Sequence, residues 1–138
     1  MIRMANRRKN ELIELTATLS YSYVETVGND SVRRYRALPL DRSTVTFFPL
    51  AWTIVHPITP QSPLFGLTPE QLEARDAEFL LLLSGIDDTF AATVHARTSY
   101  KASEVLWDSK FTNIFSPAGE DGVLAMDISR LDEVQSAR

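Results

Sequence analysis

Between positions 11 and 25, apolar and polar residues alternate almost without a break. Ile13, Leu15, Ala17, Leu19, Tyr21 and Tyr23 fall on one face; Glu14, Thr16, Thr18, Ser20 and Ser22 fall on the other. A period of two over this length predicts a half-buried strand, with the apolar set turned to the core. Gly28-Asn29-Asp30 supplies turn residues, so Val32 to Leu40 is expected to return as the second strand of a hairpin. Val45 to Phe48 and Leu50 to His56 read as short strands separated by Pro49, which cannot donate to a sheet ladder and marks an edge, bulge or break. Pro57, Pro60 and Pro63 hold a loop.

One helix start is legible. Thr68-Pro69-Glu70-Gln71 combines a threonine cap, proline at the first helical position and glutamine at the third, predicting a short helix that ends near residues 75–77. Phe79 to Leu83, continuously apolar, reads as a buried strand, although five residues alone leave a helix open. Gly85 with Asp87-Asp88 reads as a turn, and Phe90 to Tyr100 alternates again. Val105 to Trp107, Phe111 to Phe115 and Val123 to Ile128 complete the strands, with a turn over residues 117–122. About eight short strands and one brief helix predict an all-β sandwich.

The 138 residues suit one domain, and 44% apolar with 23% charged residues is ordinary for a folded chain. Absence of cysteine removes disulfides, thiolate metal sites and a cysteine nucleophile together. A net charge of −4 argues against a nucleic-acid partner. Arg3, Arg7, Arg8 and Lys9 nevertheless crowd the first nine residues without an acid among them. Such a run reads as a solvated end, with an anionic partner as the alternative. No apolar stretch approaches the roughly 20 residues of a membrane helix, nor does a signal-peptide pattern follow the basic residues, so the chain reads as soluble.

Catalytic chemistry is thin. The chain has no G-x-S-x-G elbow, phosphate-cradling loop or H-E-x-x-H pair. His56 is expected to be a hydrogen-bonded core histidine and His95 a structural or solvated one, since they are not in ligand spacing. Asp87 and Asp88 fit a turn better than a carboxylate pair, because adjacent strand residues point to opposite faces. No catalytic residue and no metal site is expected.

Four segments carry a resemblance. N-R-R-K-N-E-L-I-E-L (6–15), L-A-W-T-I-V-H-P-I with S-P-L-F-G-L-T-P-E-Q-L (50–58 and 62–72), H-A-R-T-S-Y-K-A-S-E-V-L-W (95–107) and M-D-I-S-R-L (126–131) resemble, in order, the cytoplasmic domain of inward-rectifier potassium channels. The S-P-L-F-G-L-T-P-E-Q-L stretch looks closest to the prokaryotic branch.

The resemblance implies an immunoglobulin-like β-sandwich over residues 11–131, a basic membrane-proximal segment over 1–10 and a C-terminal tail over 132–138. It implies a gating and pore-extending domain rather than an enzyme, on the cytoplasmic face of the inner membrane. There it would form part of a voltage-gated, inward-rectifying ion channel for potassium transport. Its partners would be three further copies in a homotetramer, the channel's own transmembrane pore domain and anionic membrane lipid. No cofactor is implied; potassium is the permeant ion, with Mg2+ or polyamine as blockers.

By the same resemblance, Glu14 is the pore-lining acid, and a second pore-acid position falls on Ser84, which carries no charge. Ala91, Ala92, Thr93 and Val94 align with the cytoplasmic narrowing loop, where family members often carry glycine and methionine at the first two positions. Arg8 and Lys9 align with a lipid-contacting or coupling pair, and Arg97 with an arginine near the subunit interface. The competing expectation is an immunoglobulin-like protein-binding module that forms no pore.

Overall fold

The alternating stretch forms one long strand. In the computed structural model, which describes residues 1–6, 11–48, 51–116 and 125–137, β2 runs Leu12–Val27 and returns through β3, Asp30–Leu38. Gly28 leads the two-residue turn at φ 63, a conformation that costs glycine little and that hairpin geometry favours at this position. β3, β2, β6 (Glu78–Asp87) and β7 (Ala92–Lys101) lie side by side, and β4 (Thr44–Phe47) pairs with the other end of β2. All these pairings are antiparallel.

Leu15, Ala17, Leu19 and Tyr21 are buried as the alternation predicts. Against them pack Trp52 and Ile54 of β5 (Ala51–Ile54), Leu72 of α1 (Pro69–Ala74) and Ala77. β5 pairs with β1, Ile2–Ala5, which adds Ile2 and Met4 to the same core. The result is a five-stranded sheet covered on one side by a two-stranded ribbon and a short helix, the all-β sandwich expected. The helix begins as predicted: Gln71 N–H donates to Thr68 Oγ1 at 3.2 Å, and Thr68 N–H donates to Gln71 Oε1 at 3.0 Å.

Several boundaries differ from expectation, each for a physical reason. β6 continues through Gly85 to Asp87 instead of ending at Leu83. Gly85 lies in the strand because a side chain there would meet Leu15 Cγ at 3.1 Å; glycine marks a close approach, not a turn. The turn comes one step later, where Thr89 N–H donates to the buried Asp87 carboxylate, so Phe90 and Ala91 are turn residues rather than strand. Residues 105–107 form no strand; they follow a one-turn 3-10 segment, Ala102–Glu104. Of the expected strand 111–115, only its ends pair: β8 (Ser109–Phe111) with β11 (Val134–Ser136), and β9 (Phe115–Ser116) with β10 (Ala125–Met126). β1 and β11 are strands that the pattern did not announce, and the C-terminal residues are thus part of the sheet structure.

Candidate functional site

Three strands present a polar face opposite the core. Register places Thr16 of β2 beside Ser84 of β6, and Ser84 beside His95 of β7. The next row joins Thr18, Leu82 and Arg97, and the one after it Ser20, Leu80 and Ser99. Most of these side chains are exposed, Ser84, Ser20 and Leu80 being half-buried. Leu82, although apolar, is 52% exposed. Nearly the whole of β7 is exposed on both faces, unusual for a strand of ten residues at the edge of a sheet.

Glu14 sits at the end of this face, two residues before Thr16, and is exposed as predicted. Alternation is not the full reason. Between Ile13 and Thr16 the register against β6 slips by one, three steps on β2 matching two on β6. Glu14 is inside that bulge, with φ 50. Its backbone occupies the left-handed region, which costs a residue with a side chain roughly 1–2 kcal/mol. Bulges re-aim side chains, and backbone strain of this kind gathers at functional positions. The bulge also explains why Leu12, which the alternation passes over, packs against the core cluster.

Ala91 to Val94 do not form a loop. Ala91 closes the β6–β7 turn at φ 50, while Ala92, Thr93 and Val94 begin β7. Ala91 therefore holds a conformation that glycine adopts freely. Ala91→Gly removes the left-handed penalty and adds chain entropy to the unfolded state, for a net gain of about 0.5–1 kcal/mol. Thermal unfolding is expected to rise by about 2–4 °C; a fall in Tm counters the strain assignment.

Arg97 is an exposed strand residue opposite Leu82. Arg8 and Lys9 lie outside the described residues. His56 is half-buried and hydrogen-bonded, as expected, but beyond the end of β5: Nδ1 lies 2.6 Å from Pro39 O and Nε2 lies 2.7 Å from Ser62 Oγ. His95 is exposed. Among the described residues no cluster of His, Cys, Asp or Glu could hold a metal ion, and no helix is long and apolar enough to cross a membrane.

Arg3 contradicts its reading as part of a solvated basic end. Its guanidinium donates to Thr112 O at 2.5 Å, to Leu131 O at 2.6 and 2.9 Å, to Arg130 O at 3.2 Å and to Glu133 O at 3.4 Å. The same group lies 4.4 Å over the Phe111 ring. One side chain thus ties β1 to β8 and to the C-terminal segment. Ile2-Arg3-Met4 is too short an alternation to announce this strand, and the cations that follow it draw the reading toward a solvated end.

That segment carries its own ion pair. Arg130 donates from Nε and Nη2 to the two carboxylate oxygens of Glu133, both at 2.7 Å. These hydrogen bonds hold the Glu133 pKa down to about 2. A carboxyl depressed in the folded state stabilises the fold above its ordinary value of 4.5 and loses that contribution as pH falls toward about 2. Wild type is thus expected to melt above Glu133→Gln near neutral pH, and the difference should close in thermal melts below pH about 2.

Across the whole chain, residues 1–138, the family model that matches is the inward rectifier potassium channel C-terminal domain. The chain is 37% identical over 135 residues to inward rectifier potassium channel Kirbac3.1 of Paramagnetospirillum magnetotacticum, covering 97% of this chain and 45% of that protein. It is 34% identical over 123 residues to human inward rectifier potassium channel 4, covering 80% and 26% respectively. Human ATP-sensitive inward rectifier potassium channel 8 is 30% identical over 135 residues, covering 94% and 31%. The chain spans less than half the length of these relatives. With a family model matched from end to end on an antiparallel sandwich, the chain belongs to the inward-rectifier potassium channel family, as its C-terminal domain.

Proposed function

We propose that this domain forms the cytoplasmic extension of a potassium conduction pathway, with its polar sheet face turned to the ions. Four copies surround one axis below a pore domain, in the manner of the prokaryotic branch, and the domain performs no catalysis. The observation that carries the reading is the face centred on Glu14, Thr16 and His95, all exposed, with the half-buried Ser84 between them, in a chain matched throughout by the family model. Four symmetry-related Glu14 carboxylates raise the local concentration of cations and attract polyvalent ones. Potassium permeates; Mg2+ or a polyamine blocks, weakly, because Ser84 leaves the second position uncharged.

Residues 91–94, at the β6–β7 turn and the start of β7, narrow the path. Arg8 and Lys9 meet anionic lipid, each cation near such a surface contributing about 1 kcal/mol, and Arg97 couples neighbouring copies. β7, exposed on both faces, provides an edge that a second copy covers.

Assembly tests this. The protein with its pore domain, in detergent, is expected to sediment as a tetramer and to show a fourfold axis in averaged images with Glu14 inward. A monomer, or a compact dimer burying the Glu14 face, favours a binding module without a pore.

A further inference from the structure

Away from the polar face, a cavity of about 660 Å³ opens between the ribbon, the helix and the 105–111 segment. Its floor is Leu19, Leu38, Ile54 and Leu72, each at most 8% exposed. At its mouth are Ile58 (55% exposed), Leu106 (63%) and Trp107 (42%). Three large apolar side chains from two separate segments thus surround one opening that leads to an apolar interior. Single exposed apolar residues are common and need no cause, but a group of them rimming a cavity marks a binding site.

The polar groups on its wall are largely engaged. Both ring nitrogens of His56 have partners, Arg3 is spent on backbone carbonyls and the Phe111 ring, and Glu104 accepts from the Lys101 N–H. The wall includes three carboxylates, Glu104, Asp108 and Asp132, against three cations, Arg3, Lys110 and the Met1 ammonium. This near balance favours neither an anionic nor a cationic ligand, and the engaged groups leave little to recognise a strongly polar one. Apolar contact is what the cavity offers, in a volume within the range of drug-sized ligand pockets.

We infer that the domain binds one uncharged, largely apolar small molecule here, seated on the Leu19–Leu38–Ile54–Leu72 floor under Trp107. The site is independent of any pore and of the Glu14 face.

Titration of the 138-residue chain with Nile red, a neutral apolar dye, tests it. Saturable binding of one dye per chain is expected, with blue-shifted emission and energy transfer from tryptophan that drops in Trp107→Phe. Leu64→Trp fills the cavity wall and should weaken binding tenfold or more. Should that variant not fold, Ile58→Ser with Leu106→Ser alters only exposed positions at the mouth; loss of these two contacts should weaken binding about tenfold. The inference is overturned by fluorescence that rises without saturation, by no binding up to the solubility limit, or by unchanged affinity in the folded variants.

Discussion

Replacing Arg3 with alanine is expected to lower the stability of the domain substantially. The variant takes a shared donor from the carbonyls of Thr112, Arg130, Leu131 and Glu133 and removes a cation from the Phe111 ring. Arg130 O keeps the Glu133 N–H and Glu133 O keeps the Thr112 N–H, so the loss falls mainly on Thr112 O and Leu131 O. Hydrogen bonds to a charged group contribute about 1.5–3 kcal/mol where they are removed from water, and orphaned acceptors add a desolvation penalty. Some of these carbonyls are exposed and recover water, so the sum is discounted to roughly 2–4 kcal/mol. For a chain of this size that corresponds to a Tm lower by roughly 10 °C. Arg3→Lys should rescue little, because one ammonium cannot span acceptors that the planar fork reaches together. A Tm within 2 °C of wild type for Arg3→Ala shows that the clamp contributes nothing.

The second large effect concerns charge on the polar face. In the tetramer proposed above, a cation about 8 Å from each of four Glu14 carboxylates gains about 0.5 kcal/mol per unit charge pair in water. For a divalent ion and four carboxylates this sums to about 4 kcal/mol. A Debye length of about 8 Å reduces it by roughly a factor of three, to about 1.4 kcal/mol or tenfold in affinity. Glu14→Gln in the intact channel is therefore expected to weaken block by internal Mg2+ about tenfold, and less at high salt. Ser84→Glu places a second ring beside Thr16, one step along the sheet, and should strengthen block by a similar factor. Block unchanged in both variants removes this face from the ion path. Thermal unfolding is the control: substitution at the exposed Glu14 should shift stability by less than about 0.5 kcal/mol, and the half-buried Ser84 variant is compared only where its melt shows it folded.

Much of this architecture is legible in the sequence because burial on one side of a sheet imposes strict alternation. β2 illustrates that: Leu15, Ala17, Leu19 and Tyr21 are buried at every second position. The helix start is legible for a different reason, since its capping residues are read locally. What alternation cannot show is a change in its own phase. The bulge that holds Glu14 leaves the residue types in place while shifting their partners by one, and only the β2–β6 register reveals it. Gly85 misleads in the opposite sense, because the same residue that permits turns also permits the close approach of Leu15. β1 and β11 are four and three residues long, too short for a period to emerge. Pairing partners far along the chain and the Arg3 hydrogen bonds hold them in place. The candidate site follows the same division. Glu14, Ser84 and Arg97 were placed by resemblance, and the structure sets Ser84 and Arg97 on neighbouring rows of one face. The bulge at Glu14 and the left-handed Ala91 emerge only from the backbone.

In the proposed tetramer Glu14 faces the ions. These 138 residues contain no cysteine, so the direct measurement is Glu14→Cys in the intact channel, compared with the same channel lacking that substitution, each treated from the cytoplasmic side with a positively charged methanethiosulfonate reagent while potassium current is recorded. Each modified copy exchanges a carboxylate position for a fixed cation. Four around one axis are expected to cut inward current about tenfold, while a neutral reagent of the same size has a smaller effect. Full modification, verified by mass spectrometry, with the current unchanged contradicts the claim and places Glu14 on an outer surface.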